Sequence, residues 1–216
     1  MIEMGCWLFL ISHMRILGAL LPLSLREMAT HWSEHGRQTG WPQTLAEEAV
    51  FFRRFWEQLG RHCQLSTAAV QALIAWDYKE VLRPFDEARA VLAHLKEHGF
   101  KIGVLSNFSL ASLEPSLEHL GLSAYVDTAC AATVIGVSKP HPDAYRIVAD
   151  RLGVPASDCL FIDDEAEHVQ GAQAVGMHAC LLERDGRTVR QGDSLWRITS
   201  LFDIIEPNVF VQHQAR

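Results

Sequence analysis

The feature that most constrains the fold is an alternation of short apolar runs with helical patterns, which begins after Pro84. Apolar runs of strand character occupy residues 101–105, 129–134, 160–162 and 178–182, the second more weakly. Helical patterns, each followed by a glycine, occupy residues 87–98, 109–120, 142–152 and 165–175. Strands that alternate with helices of roughly ten residues indicate βαβ units and a parallel sheet. The sequence therefore predicts an α/β core, with a last short helix at residues 201–205.

The chain before Pro84 follows a different pattern, since residues 17–78 look helical throughout. In residues 46–59 apolar side chains recur at a helical period. Thr44 and Glu47 have the spacing of a capping box at the N-terminus of this helix. A dense aromatic set fits either a ligand-binding box or the core of a helix bundle, and the second use is commoner. It comprises Trp32, Trp41, Phe51, Phe52, Phe55, Trp56 and Trp76. We predict a first core strand in residues 1–16, a helical insert in 17–82 and the α/β core in 83–216.

Charge and cysteine content narrow the class of protein. The formal net charge of -7, with scattered basic residues, disfavours nucleic acid as a partner. The five cysteines show no CxxC spacing, which indicates buried thiols in a reducing cytosol. The apolar residues 5–25 are interrupted by His13 and Arg15, so a buried strand followed by a helix is favoured over a membrane anchor or signal peptide. We predict a cytoplasmic protein without a membrane partner.

Two adjacent acids, Asp163 and Asp164, follow the apolar run at residues 160–162. The carboxyl end of a parallel strand is where open α/β sheets bind ligands. Two carboxylates there repel each other unless a cation or a proton intervenes, and Mg²⁺ prefers carboxylate oxygens with water. The alternative is a helix cap, which explains one acid but not both. The pair therefore predicts a magnesium site.

Further polar residues follow other strands of the predicted sheet. Ser106 and Asn107 come directly after the run 101–105, where a hydroxyl and an amide can hold a phosphate oxygen, although both are also ordinary turn residues. Lys139 stands before Pro140 in a loop that leads into a helix. A cation held there can neutralise a phosphoryl group or a neighbouring carboxylate. We expect these side chains to meet at one edge of the sheet.

In order, spacing and setting, these segments resemble the haloacid dehalogenase-like (HAD) hydrolase superfamily. Residues 104–107 are similar to its second motif, residues 139–143 to its Lys-Pro-x-Pro loop, and residues 161–164 to its fourth motif. Residues 82–85 also resemble the entry to the core that follows the family's cap. The resemblance covers about residues 82–182 and implies a Rossmann-like parallel sheet with helices on both faces. It also implies an N-terminal cap of the four-helix type.

The resemblance further implies hydrolysis of a small phosphorylated metabolite through an aspartyl-phosphate, with Mg²⁺ as cofactor. Ser106, Asn107 and Lys139 would then bind the phosphate. Lys139 and Asp163 would be catalytic, with Asp163 and Asp164 as metal ligands, Asp164 either directly or through water. His168 falls where relatives often have Asn or Asp. A 2-haloacid dehalogenase is the sister possibility.

The family's first motif, Asp-x-Asp, has no counterpart, because no Asp precedes Asp77. The best candidate for its strand is the run 7–11, which leads to Ser12, His13 and Met14. Ser12 would need a base for activation, and the adjacent His13 would point to the opposite face of a strand. Two accounts stay open: a catalytically inactive binding protein, or an N-terminal stretch that is not the authentic first strand. Little or no turnover is expected from the sequence as it stands.

Overall fold

The computed structural model describes residues 21–184 and 195–205. The predicted first core strand in residues 1–16, with its apolar run 7–11, lies outside these residues. Among the residues described, no helix is both long and apolar enough to cross a membrane.

The N-terminal part of the described chain is helical, as predicted. The helices are α1 (Leu25–Thr39), α2 (Leu45–His62) and α3 (Thr67–Ala75), followed by a 3₁₀ turn at Tyr78–Val81. Each α-helix begins at a hydroxyl residue that accepts a backbone N–H from the first turn, namely Ser24, Thr44 and Ser66. These caps explain why the helices start where they do, since the first turn otherwise leaves N–H groups unpaired.

The aromatic side chains of these helices pack against one another. The Trp32 ring lies edge-on to Phe51 and Phe55, with centroids 5.1 Å and 5.0 Å away. Phe51, Phe55 and Trp56 are buried. Such edge-to-face contacts are the favoured geometry of packed aromatic rings. The prediction that this set forms a helix core is therefore confirmed for these residues.

The remainder is an α/β unit. Its helices are α4 (Ala88–Glu97), α5 (Leu113–His119), α6 (Ala132–Ile135), α7 (Pro142–Leu152) and α8 (Ala166–Ala174). Its strands are β1 (Gly103–Ser106), β2 (Thr128–Ala131), β3 (Leu160–Asp163), β4 (His178–Leu182) and β5 (Trp196–Ile198). β1 pairs with β2, and β3, β4 and β5 pair in that order. All of these pairings are parallel, as the alternating pattern predicted.

Helices cover both faces of the strands. Val104 and Ile162 belong to one buried cluster, which includes residues of α4 and α5. Their neighbours Leu105 and Phe161 belong to another, which includes residues of α7 and α8. Because successive residues of a strand point to opposite faces, the two clusters lie on opposite sides of the strands. This arrangement is the predicted Rossmann-like core.

Two local predictions were wrong, and one strand was not predicted. The helix predicted from residue 109 begins only at Leu113, because Ser112 stands at its N-cap and its N–H is bound by a distant carboxylate. The weak strand predicted to residue 134 ends at Ala131 and gives way to α6. Strand β5 was missed, since a run as short as Trp196–Ile198, with Arg197 at its centre, carries no clear alternation.

The cysteines behave largely as the sequence indicated. Cys130, Cys159 and Cys180 are buried free thiols, Cys63 is half-buried, and Cys6 lies outside the described residues. Burial raises the pKa of Cys180 to about 12. A thiol with so high a pKa stays protonated near neutral pH and is a poor nucleophile. Cys180 is thus a core residue of β4 and not a reactive group.

Candidate active site

A buried ion pair joins Lys139 and Asp163. The Lys139 Nζ atom lies 2.8 Å from Asp163 Oδ2, and both side chains are 0% exposed. Asp163 is the last residue of β3, and Lys139 lies in the loop between α6 and α7. The Lys139 ammonium also lies 5.7 Å from the centroid of the Phe161 ring. Charges so deeply buried are tolerated only when they are paired, so each side chain supplies the partner that the other needs.

Asn107 fixes the backbone of Lys139. Its side-chain Oδ1 accepts the Lys139 N–H at 2.8 Å, and its Nδ2 donates to the Lys139 carbonyl at 2.9 Å. The amide thus binds both polar groups of a single residue, which holds the Lys139 loop against the end of β1. Asn107 therefore positions Lys139 in the structure, while its predicted contact with phosphate stays a prediction.

Ser106 ends β1 with its side chain buried, and its exposed fraction is 1%. Within the described part of the chain its hydroxyl has no hydrogen-bond partner. A buried hydroxyl without a partner loses free energy on folding, so such a group needs an explanation. An oxygen of an anionic ligand at this strand end would supply the missing acceptor. Ser106 thus lies at the carboxyl end of its strand, and its contact with phosphate stays a prediction.

His168 connects Asp163 with Asn107. The ring is buried, with its Nδ1 3.2 Å from Asp163 Oδ1 and its Nε2 3.3 Å from Asn107 Nδ2. A neutral ring with its proton on Nδ1 satisfies both contacts, because it donates to the carboxylate and accepts from the amide. The Tyr145 hydroxyl donates to the His168 carbonyl at 2.8 Å and holds this turn of α8. The sequence had not assigned this role to His168.

The two adjacent acids have different environments. Asp163 is buried, whereas Asp164 is exposed. Asp163 Oδ1 accepts the Glu165 N–H at 2.8 Å, so this carboxylate also caps the turn before α8. The capping alternative therefore accounts for part of the role of Asp163, and Asp164 faces solvent.

The described residues fit a Mg²⁺ ion poorly. Between residues 21 and 184 and from 195 to 205, no group of three or more His, Cys, Asp or Glu side chains is placed to hold a metal. The Asp163 carboxylate already receives an ammonium on one oxygen and two N–H donors on the other. A further cation at this carboxylate would be repelled by Lys139. The predicted ligands Asp163 and Asp164 do not by themselves form a magnesium site here.

Close packing behind the Lys139 loop gives a first prediction. A Cβ atom at Gly171 would lie 2.6 Å from the Tyr145 hydroxyl and 3.0 Å from the Pro140 carbonyl oxygen. We expect Gly171→Ala to lower the free energy of unfolding by about 1–3 kcal/mol, because the extra methyl group forces backbone to move. Urea denaturation followed by circular dichroism measures this. Gln173→Ala, at an exposed site on the same helix, is the control, and an equally stable Gly171→Ala variant contradicts the packing argument.

Comparisons with known proteins agree with this architecture. A family model described as haloacid dehalogenase-like hydrolase matches residues 17–176. Phosphatase MT3486 of Mycobacterium tuberculosis (strain CDC 1551 / Oshkosh) is 34% identical over 172 residues, 77% of this chain and 76% of that protein. The (S)-2-haloacid dehalogenase of Pseudomonas sp. (strain YL) is 28% identical over 187 residues, 84% of this chain and 81% of that protein.

Solved structures show the same fold. The crystal structure of the 2-haloacid dehalogenase from Pseudomonas syringae pv. Tomato DC3000 superposes with a TM-score of 0.63 at 21% identity, covering 95% of each chain. At that identity the likeness concerns the fold alone. The family match extends over most of the chain, and the relative from Mycobacterium tuberculosis matches over three quarters of each protein. This chain belongs to the haloacid dehalogenase-like hydrolase family.

Proposed function

We propose that the site at the carboxyl ends of β1 and β3 binds the phosphate group of a small phosphorylated metabolite. The observation that carries this proposal is the buried ammonium of Lys139, whose backbone Asn107 fixes, together with the buried Ser106 hydroxyl at the end of β1, which has no hydrogen-bond partner among the described residues. A fixed cation and a hydrogen-bond donor at one strand edge suit the oxygens of an anionic ester. Nucleic acid and membrane are not among the proposed partners.

Phosphate ester hydrolysis is the reaction we favour. Among the relatives described above, the phosphatase has the higher identity to this chain, 34% against 28% for the dehalogenase. The proposed roles are electrostatic. Lys139 stabilises charge on the phosphoryl group, Ser106 donates to one of its oxygens, and Asp163 pairs with Lys139 and holds it in place. Mg²⁺ dependence and a cytoplasmic location remain predictions from the sequence.

A 2-haloacid dehalogenase is the second candidate. It is favoured by the poor fit of the described residues to a metal ion and by the dehalogenase relatives. Its substrate is also an anion, so the same Lys139 and Ser106 would face a carboxylate in place of a phosphate. Release of chloride from 2-chloropropionate distinguishes this reaction from phosphatase activity.

Turnover of p-nitrophenyl phosphate with Mg²⁺ tests the proposed reaction. We expect little or no turnover by the native chain, since both reactions proposed here use an attacking carboxylate and no Asp precedes Asp77. In the double variant Ser12→Asp/Met14→Asp, which places acids where the family motif is expected, turnover should rise by about tenfold or more. The matched control is Ser12→Asn/Met14→Asn, which has similar side chains without the charge.

The outcomes separate the candidate functions. A native rate comparable to that of ordinary phosphatases contradicts the view that the nucleophile is missing. Phosphate binding without turnover, in both the native chain and the Asp variant, favours a non-catalytic binding protein. Turnover that rises equally in the Asn control would show that the acids themselves are irrelevant.

A further inference from the structure

His168 contacts the oxygen of Asp163 that Lys139 leaves available. Lys139 contacts Oδ2, while His168 Nδ1 and the Glu165 N–H both point at Oδ1. The carboxylate therefore receives donors on both oxygens from groups within the fold. Each of these donors carries positive charge or partial positive charge, which is what a bound cation would otherwise provide.

The imidazole is held firmly in this position. It is 5% exposed, its Nε2 faces Asn107 Nδ2 at 3.3 Å, and its backbone carbonyl accepts from Tyr145. Asn107 in turn binds both backbone groups of Lys139. Asp163, His168, Asn107 and Lys139 thus form a closed ring of contacts. To vacate Asp163 Oδ1, His168 would also have to leave Asn107.

We propose that His168 replaces a divalent cation as the partner of Asp163, so that this site takes an anionic ligand without a metal ion. His168 is a positioning residue in this scheme, because it acts on the ligand through Asp163 and Asn107. The part of the proposal that concerns the anion rests on the proposed phosphate site. The part that concerns the cation does not.

Binding of Mn²⁺, a paramagnetic substitute for Mg²⁺, tests the cation directly by electron paramagnetic resonance. The native chain should bind Mn²⁺ weakly. The variant His168→Asp should bind it at least about tenfold more tightly, because it removes a competing donor and adds a carboxylate beside Asp163. His168→Asn, which removes the imidazole without adding charge, should give a smaller gain. His178→Asp, at an exposed position of β4, adds the same charge elsewhere and should leave Mn²⁺ binding unchanged.

Calorimetric titration with inorganic phosphate tests the anion. The native chain should bind phosphate with the same affinity in EDTA and in Mg²⁺. The proposal is overturned if the native chain binds Mn²⁺ as tightly as His168→Asp, or if phosphate binds only when Mg²⁺ is present. If His168→Asp does not fold, the native chain and His168→Asn decide the cation question. Failure of phosphate to bind in either buffer contradicts the proposed function alone, because the Mn²⁺ comparison tests His168 by itself.

Discussion

Replacing Lys139 with Met is expected to lower the free energy of unfolding by about 3–5 kcal/mol, because it leaves the Asp163 carboxylate buried without its cation. The two side chains are fully buried and 2.8 Å apart. The methionine chain keeps most of the volume of lysine, so the loss reports on charge and not on a cavity. Chemical denaturation followed by circular dichroism gives the difference.

The double variant Lys139→Met/Asp163→Asn distinguishes the loss of the ion pair from the cost of leaving one buried charge unpaired. It removes both charges but keeps an acceptor for the Glu165 N–H, so most of the lost stability should return. Lys79→Met is the matched control, since the Lys79–Asp77 pair is 2.7 Å long but partly exposed. An exposed pair contributes about 0–1 kcal/mol. A Lys139→Met variant no less stable than Lys79→Met would show that the buried pair does not stabilise the fold.

Replacing Glu48 with Ala is expected to lower the free energy of unfolding by about 2–4 kcal/mol. Glu48 lies on α2, is 6% exposed, and binds Ser112 at the start of α5. Its Oε2 accepts the Ser112 N–H at 2.9 Å, and its Oε1 accepts the Ser112 hydroxyl at 2.5 Å. Truncation therefore leaves the buried Ser112 N–H without its acceptor, while the Ser112 hydroxyl loses one of its two partners and keeps the Tyr78 hydroxyl at 2.5 Å. Urea denaturation measures the loss.

Two further variants define the origin of this effect. Glu48→Gln keeps one acceptor oxygen and should recover about half of the loss. Glu34→Ala, at an exposed site of α1, should change stability by less than about 0.5 kcal/mol. Unchanged stability in Glu48→Ala would mean that water or another group replaces the carboxylate without loss.

Features that depend on neighbours in sequence were predictable. The cap at Thr44 and the bounds Pro142–Leu152 follow from residues within one helical turn. The meeting of Lys139 with Asp163, 24 residues apart, was also expected, because both were placed after predicted strands that end at a common edge. The structure adds that Lys139 follows the short helix α6 and not a strand directly.

Contacts between specific distant side chains were not predictable. His168 lies 61 residues from Asn107, and Glu48 lies 64 residues from Ser112. Neither spacing corresponds to a helical or strand period. From sequence alone, a Glu on an amphipathic helix is expected to face solvent, so the burial of Glu48 was not anticipated. The same contact explains why the start of α5 was misplaced, since Ser112 is bound from α2 and not from its own first turn. Tertiary contacts override local propensity at such points.

The attachment of Asn107 to both backbone groups of Lys139 affects how a ligand would bind. A flexible loop loses conformational entropy when a ligand orders it, and that loss weakens binding. Here the loss has already occurred during folding, so the ammonium is preorganised. Affinity should then depend mainly on how much hydration an incoming anion gives up, and strongly hydrated phosphate should bind less tightly than larger, weakly hydrated oxyanions of the same charge.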